Sequence, residues 1–333
     1  MNIRIMAGLA LLILMELFAV NPARAAGSTK NGTLSLVVEN DLFYDIDRHY
    51  TSGVRLNWVP SRESSTPEWA VKFARLVPWF PEKGEIRHGY ALGQSVFTPG
   101  DIKIADPPLS ERPYAGWLYG TIGLGLETGR QLDQFALTIG MVGPASLAGQ
   151  SQKIVHRLID SDDPKGWDTQ LHNEPGIVVT CQRSLREFAT TTFLGNQIDF
   201  TPHAGIVIGN VFTYGNAGLT IRYGRQLPKD YGPPRIQPGL PGSGDFSPAT
   251  DFGWYIFAGF EGRVIGRNIF LDGNSFRDSR SVDKEYLVGD FQFGLVLDLS
   301  NIRLSYTHVL RTHEFRTQEG NDDFGAITLS VKF

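Results

Sequence analysis

What most constrains this chain is a repeated alternation of polar and apolar residues with a period of two. It is clearest at the end, where Ile327, Leu329, Val331 and Phe333 alternate with Ala326, Thr328, Ser330 and Lys332. Successive strand side chains point to opposite faces, so such a segment is a strand with two different sides. Val54-Arg55-Leu56-Asn57-Trp58, Leu219-Thr220-Ile221-Arg222-Tyr223 and Ile302-Arg303-Leu304-Ser305-Tyr306-Thr307 repeat the pattern. Charged and polar residues on one face, with Leu, Val, Ile and aromatics on the other, is the signature of a strand between a lumen and lipid. Beyond the N-terminal segment, no apolar run reaches the ~18 residues that span a bilayer as a helix. Lipid offers no hydrogen-bond partner to an open sheet edge, so a sheet in a membrane must close.

The pattern therefore predicts an all-β fold, a transmembrane antiparallel β-barrel of about 12 strands with a short helix in an extracellular loop. The strands are expected near 33–40, 51–59, 87–98, 115–127, 133–142, 176–187, 197–209, 213–225, 252–271, 284–298, 301–311 and 322–333. The terminal Phe333 resembles the assembly signal of outer-membrane barrels. A last strand of a soluble sandwich is the alternative.

The N-terminus reads as an export signal. A basic start at Arg4 precedes an apolar stretch from Ile5 to Val20, broken by Glu16, and Ala23-Arg24-Ala25 fits a small-x-small cleavage site. Residues 1–25 are thus expected to be a signal peptide and 26–333 a single barrel domain. An exported chain with one cysteine, Cys181, has no disulfide framework, Cys-rich zinc site or iron–sulfur cluster. The net charge of −4 argues against nucleic-acid binding. Together these place the protein in a Gram-negative outer membrane, where it is expected to work as a monomer.

Threading the strands up and down puts 41–50, 99–114, 143–175, 210–212, 272–283 and 312–321 outside the cell. The third loop holds a helix-like stretch, Gly149 to Asp160. The Pro- and Gly-rich region 226–250 is expected to be an irregular periplasmic connection. Segment 61–86 also falls on the periplasmic side and holds an amphipathic stretch, Trp69 to Leu76. Residues able to do chemistry gather at the extracellular rim: Asn40-Asp41, Thr51, Gln94, Thr98, Gln152 and His156. On a helix, the i, i+4 spacing puts Gln152 and His156 on one face. His156 can serve as a general base near neutral pH. Asn40 and Asp41 offer hard oxygen ligands suited to calcium, which could polarise an ester carbonyl. Asn40 has the lipid-facing parity of Leu34, Leu36 and Val38; Thr51 has lumen parity unless the strand bulges. Each also has a plainer reading: Asn-Asp as a turn, His156 as a solvated loop residue, 160–163 as a solvated acidic run. Arg48, Lys103, Arg112, Arg311 and Arg316 read as rim charges for which outer-leaflet phosphates are natural ligands.

The ordered stretches Val38-Glu39-Asn40-Asp41, Asp47-Arg48-His49-Tyr50-Thr51-Ser52-Gly53 and Gly93-Gln94-Ser95-Val96-Phe97-Thr98-Pro99 resemble the outer-membrane lipid A 3′-O-deacylases of the LpxR type. Further along, so do Gly140 to Pro144, Gln152 to Arg157, Gly166 to Asp168, Gln170 to Asn173 and His313 to Thr317. The resemblance covers nearly the whole mature chain. It implies a twelve-stranded barrel that removes the 3′-linked acyloxyacyl chain of lipid A, the lipopolysaccharide anchor in the outer leaflet. It further implies calcium dependence and a mechanism like that of phospholipase A2, with calcium at the oxyanion and His activating water. Carried over, it implicates Asn40, Asp41, Thr51, Gln152 and His156, with Asn40 and Asp41 as metal ligands. Lys103, Arg48 and Arg112 are the expected substrate contacts. Two alternatives stand beside it. One is an outer-membrane phospholipase, for which Ser95 and Ser151 are the candidate nucleophiles. The other is a non-catalytic barrel or porin, against which the small strand number speaks.

Overall fold

The computed structural model describes residues 32–41, 49–61, 65–75, 84–225, 227–236 and 252–333, and also 238, 242, 244 and 246. The expected signal peptide at 1–25 and Arg48 lie outside the described residues. The strands are β1 (Thr33–Asn40), β2 (His49–Val59), β3 (Glu85–Thr98), β4 (Ala115–Thr128), β5 (Gln131–Val142), β6 (Glu174–Leu185) and β7 (Ala189–Phe193). They continue with β8 (Asn196–Gly209), β9 (Phe212–Arg225), β10 (Phe252–Asn268), β11 (Leu287–Leu299), β12 (Ile302–Arg311) and β13 (Asp322–Lys332). Each described ladder is antiparallel, and β1 pairs with β13. Both β6 and β7 pair with β8, each along a different half, so they are two parts of one bent stave. The result is a closed barrel of twelve staves, in accord with the alternation in the sequence.

The two faces follow the sequence pattern. On β12, Ile302, Leu304, Tyr306 and Leu310 are exposed to the outside while Arg303, Ser305, Thr307 and Arg311 are buried. The segment 61–86 contains the short helix α1 (Glu68–Ala74). The helix expected in the third outer loop is α2 (Ala148–Leu158). The strand expected over 252–271 is shorter, ending at Asn268. There the Asn268 side chain caps the single helical turn α3 (Ile269–Asp272) by accepting from Phe270 N at 3.2 Å. The next strand, expected from 284, begins at Leu287.

The lumen is filled by paired charges rather than by an aqueous channel. Arg222 donates to Asp199 on one side and to Asp230 at 2.6 Å on the other. Arg303 bridges Asp230 and Asp298. Arg263 and Arg311 both hold Asp290, at 2.6 and 2.9 Å. Charges buried this deeply persist only when paired and hydrogen-bonded. Asp230 and Arg235 belong to the region expected to be a periplasmic connection. Its longest described stretch, 227–236, instead runs inside the barrel, where Arg235 reaches Glu39 near the top of β1 at 2.5 Å. Pro and Gly do rule out regular structure there, but Asp230 and Arg235 find inward-facing partners on four strands.

Above this connection the lumen is closed by Tyr50, Phe97, Trp117, Phe212, Phe270 and Phe324. Phe270 of α3 stacks on Phe97 with ring centroids 3.9 Å apart. A cavity of about 240 Å³ remains in the lower lumen, lined by Arg55, Asn57, Gln182 and Tyr231 among others. It lies across the barrel wall from the residues described next.

Candidate active site

Three adjacent strands bring polar side chains to the outer wall at its extracellular end. Asn40 has the outward parity of Leu34, Leu36 and Val38, yet it is buried, as are Asp41 and Thr51. Thr51 reaches that wall because β2 bulges: the register with β3 shifts between Tyr50 and Ser52. Tyr50 then points into the lumen, donating to Glu39 Oε2 at 2.9 Å. Thr51 Oγ1 lies 2.7 Å from Thr98 Oγ1. Thr98 follows Phe97, which points inward, and shares the outward parity of Val96. Asp41 N donates to Thr51 O at 3.2 Å, which ties the ends of the first loop together.

The loop after β5 folds back over this wall. A short turn at Pro144–Ser146 leads into α2, which packs on the outer faces of β3 and β4. Val96, Tyr114, Ala148 and Trp167 form the apolar contact, and Gln94 Nε2 donates to Ser146 O at 2.6 Å. The close approach depends on Gly116. A Cβ there would fall 2.2 Å from Ala148 Cβ and 2.3 Å from Ser146 Oγ. Gly116→Val is therefore expected to lift α2 off the wall while leaving the barrel closed. Activity should fall at least about tenfold with the folded-barrel band in unheated gel electrophoresis retained. Unchanged activity would mean that α2 does not need its seat.

On α2, Gln152 and His156 are 4% and 1% exposed, so the face they share is turned towards the barrel. Trp167 Nε1 donates to Gln152 Oε1 at 2.8 Å, which fixes the amide and leaves the buried Nε2 with no acceptor among the described residues. His156 Nδ1 lies 2.5 Å from the carbonyl oxygen of Asp162. A carbonyl only accepts, so Nδ1 carries a hydrogen, and in the neutral ring Nε2 is then the basic nitrogen. Asp162, expected in a solvated acidic run, thus orients the imidazole through its backbone. No side-chain motif could have announced that role. Its carboxylate pairs with Lys103 Nζ at 2.7 Å, so the loop after β3 meets the loop after β5 here. The hydrogen bond and charge of Lys103 hold the Asp162 carboxyl below its usual range, and Asp162 raises the Lys103 ammonium in turn. Both are exposed, so this pair contributes position more than stability.

The predicted residues thus form two groups on one wall: Asn40, Asp41 and Thr51 at the ends of β1 and β2, and Gln152 and His156 on α2, with Lys103 beside them. Arg112 is placed elsewhere. Its guanidinium has no exposed surface, donates to Glu314 Oε2 at 3.0 Å and lies 5.0 Å from the centroid of Phe97. It locks outer loops to the top of the lumen instead of facing outer-leaflet phosphates. Burial alone would raise the Glu314 carboxyl, but Arg112 and Arg311 outweigh it and hold that group below its ordinary value. Arg311, also read as a rim charge, is buried against Asp290. Ser95 is inward-facing beside Tyr119, across the wall from His156, so it cannot serve as its nucleophile.

Among the described residues, no three His, Cys, Asp or Glu side chains converge as a metal-binding group. A cation at this site would rely on the Asn40 amide oxygen, the Asp41 carboxylate and nearby carbonyls. That donor set is all oxygen and fits calcium better than zinc.

The closed barrel with a polar site on its lipid-facing wall defines an integral outer-membrane protein. A family model described as "Outer membrane protein LpxR" matches residues 9–333, and the chain belongs to that family. The structure of LpxR from Salmonella typhimurium matches with a TM-score of 0.72 at 20% identity, covering 90% of this chain and all of that one (100%). That match supports the fold. The β-domain of the Bordetella autotransporter BrkA covers 91% of this chain and 100% of its own, but at TM-score 0.44 and 8% identity it carries no argument. Nothing among curated protein sequences matches the chain.

Proposed function

We propose that this protein is a lipid A 3′-O-deacylase that hydrolyses the 3′-linked acyloxyacyl ester of lipid A from the outer wall of the barrel, with calcium as cofactor. The observation that carries the reading is His156: a buried imidazole, held by Asp162 in the tautomer of a general base, on a helix laid against a lipid-facing wall. A porin has no use for such a group there, and membership of the LpxR family supports the same reading. Substrate would enter sideways from the outer leaflet, which explains why the site is a wall and not an enclosed cavity.

In this mechanism His156 Nε2 takes a proton from water as the water oxygen bonds to the ester carbonyl carbon. The bond from that carbon to the sugar oxygen then breaks, and the proton passes to the leaving alkoxide. The products are the free acyloxyacyl acid and a 3′-hydroxyl. Gln152 Nε2, a buried donor with no acceptor among the described residues, can donate to a substrate oxygen. Lys103, with its side chain 60% exposed, presents positive charge to an anionic headgroup, and Arg48 is assigned the same task. Calcium, held by Asn40 and Asp41, would polarise the ester carbonyl and stabilise negative charge on its oxygen.

The test is purified protein in detergent with lipid A, read by mass spectrometry of the product. Loss of one acyloxyacyl unit, abolished by chelator and restored by calcium, supports the reading. Hydrolysis that persists in chelator would remove the cation from the mechanism, and release of a different acyl chain would overturn the assigned bond.

A further inference from the structure

The inward face of the lower lumen carries little bulk where β3, β4 and β5 run side by side. Gly89 pairs with Gly123, and Gly123 pairs with Ala136, so one row across three staves has almost no side chain. In the next inward row up, Ala91 is followed by Thr121 and Thr138, whose hydroxyls lie 2.9 Å apart and satisfy each other. The cavity of about 240 Å³ occupies the space these small residues leave. Its lining runs down to Arg87, Glu127 and Leu132, at the periplasmic ends of the three strands. Tyr50, Phe97 and Trp117 belong to the aromatic layer that closes the lumen above. A ligand would therefore enter from the periplasm, away from the outer-wall site.

Charge in this cavity is unbalanced. Elsewhere in the lumen Arg222, Arg263, Arg303 and Arg311 each hold a carboxylate. Arg55 does not. It lies between the outward-facing Val54 and Leu56, so it points inward, and it is half-buried in the cavity lining. Among the described residues its guanidinium has no acidic partner and makes one long hydrogen bond, Nη1 donating to Arg235 O at 3.4 Å. Lys229, also in the lining, has no acidic partner among the described residues either. The other lining arginines do: Arg235 holds Glu39, and Arg87 has Glu85 at 4.0 Å. Two carboxylates line the cavity, but arginines outside the lining engage both. Arg186 takes Glu127 at 3.1 Å, and Arg222 and Arg303 take Asp230.

Asn57 and Gln182, both more than nine-tenths buried, belong to the same lining, and neither amide nitrogen has an acceptor among the described residues. A guanidinium inside a protein is costly without a counter-charge. Its forked N–H groups match the oxygens of a carboxylate or a phosphate.

We propose that the lower lumen is a binding site for a small oxyanion, a carboxylate or a phosphate group, held by Arg55 with Asn57 and Gln182 and reached from the periplasm. A cavity of about 240 Å³ takes a small molecule and excludes lipid A, so this inference stands apart from the deacylase reading.

The test is calorimetric titration of the purified barrel in detergent with inorganic phosphate and, separately, with succinate, at constant ionic strength. Saturable binding of at least one is expected, and the better binder identifies the group. Arg55→Gln should weaken that binding at least about tenfold. The fold has little to lose there, since Arg55 makes a single long hydrogen bond. Ala91→Leu keeps every charge but fills the cavity, and should abolish binding. Lys72→Gln, on the exposed side of α1, should bind as the wild type does. The folded-barrel band in unheated gel electrophoresis verifies each variant. Absence of saturable binding of both anions to the wild type would overturn the site. Binding that survives both Arg55→Gln and Ala91→Leu would overturn it too, marking an adventitious ion only.

Discussion

Replacing His156 with Ala should reduce deacylation of lipid A by about a thousandfold while leaving the barrel intact. General-base catalysis contributes roughly 10²–10⁴ in rate, and in the proposed mechanism the hydrogen bond from His156 Nδ1 to the Asp162 carbonyl orients that base. The residue sits on α2, outside the closed sheet, so its loss leaves each ladder of the barrel in place. The measurement is the initial rate of acyl release by purified protein, alongside its gel mobility before and after heating. His156→Gln should be equally slow, because an amide keeps a polar group there without supplying a base. Residual activity within tenfold of the wild type would require another base.

Replacing Asp230 with Ala should produce the largest loss of stability. The residue accepts from Arg222 at 2.6 Å and also pairs with Arg303, and it fixes the luminal connection to β9 and β12. Its removal strips one carboxylate from two buried guanidiniums, which among the described residues keep Asp199 and Asp298 respectively as their acidic partners. Deleting one member of a buried ionic cluster costs about 3–5 kcal/mol because the remaining charge stays desolvated. The expected result is a lower urea midpoint of unfolding in detergent, with greater protease sensitivity of the 226–250 connection. A midpoint within error of the wild type would mean that the connection does not brace the lumen.

The barrel was legible because one physical rule, a strand between lipid and lumen, writes itself into every second residue. Val54, Leu56 and Trp58 face out as the alternation requires. Parity alone assigns Thr51 to the lumen unless the strand bulges, and the register shift between Tyr50 and Ser52 supplies that bulge. The internal pairing was not legible. Arg112, Arg311, Asp230 and Arg235 look the same in sequence as solvated charges, and for Arg112 and Arg235 the partner lies far along the chain. Arg235 meets Glu39 at a separation of 196 residues, and Arg112 meets Glu314 at 202. The role of Asp162 was hidden for another reason. It acts through a backbone carbonyl, placed by the chain turn after α2, and no residue type encodes that.

The most direct test of the account is the mass spectrum of lipid A from Gram-negative cells that express this protein, compared with cells that do not. The account predicts a new species lacking the 3′-linked acyloxyacyl unit, absent when His156→Ala is expressed at equal level in the outer membrane. An unchanged lipid A spectrum, with the folded wild-type barrel demonstrated in that membrane, would contradict it.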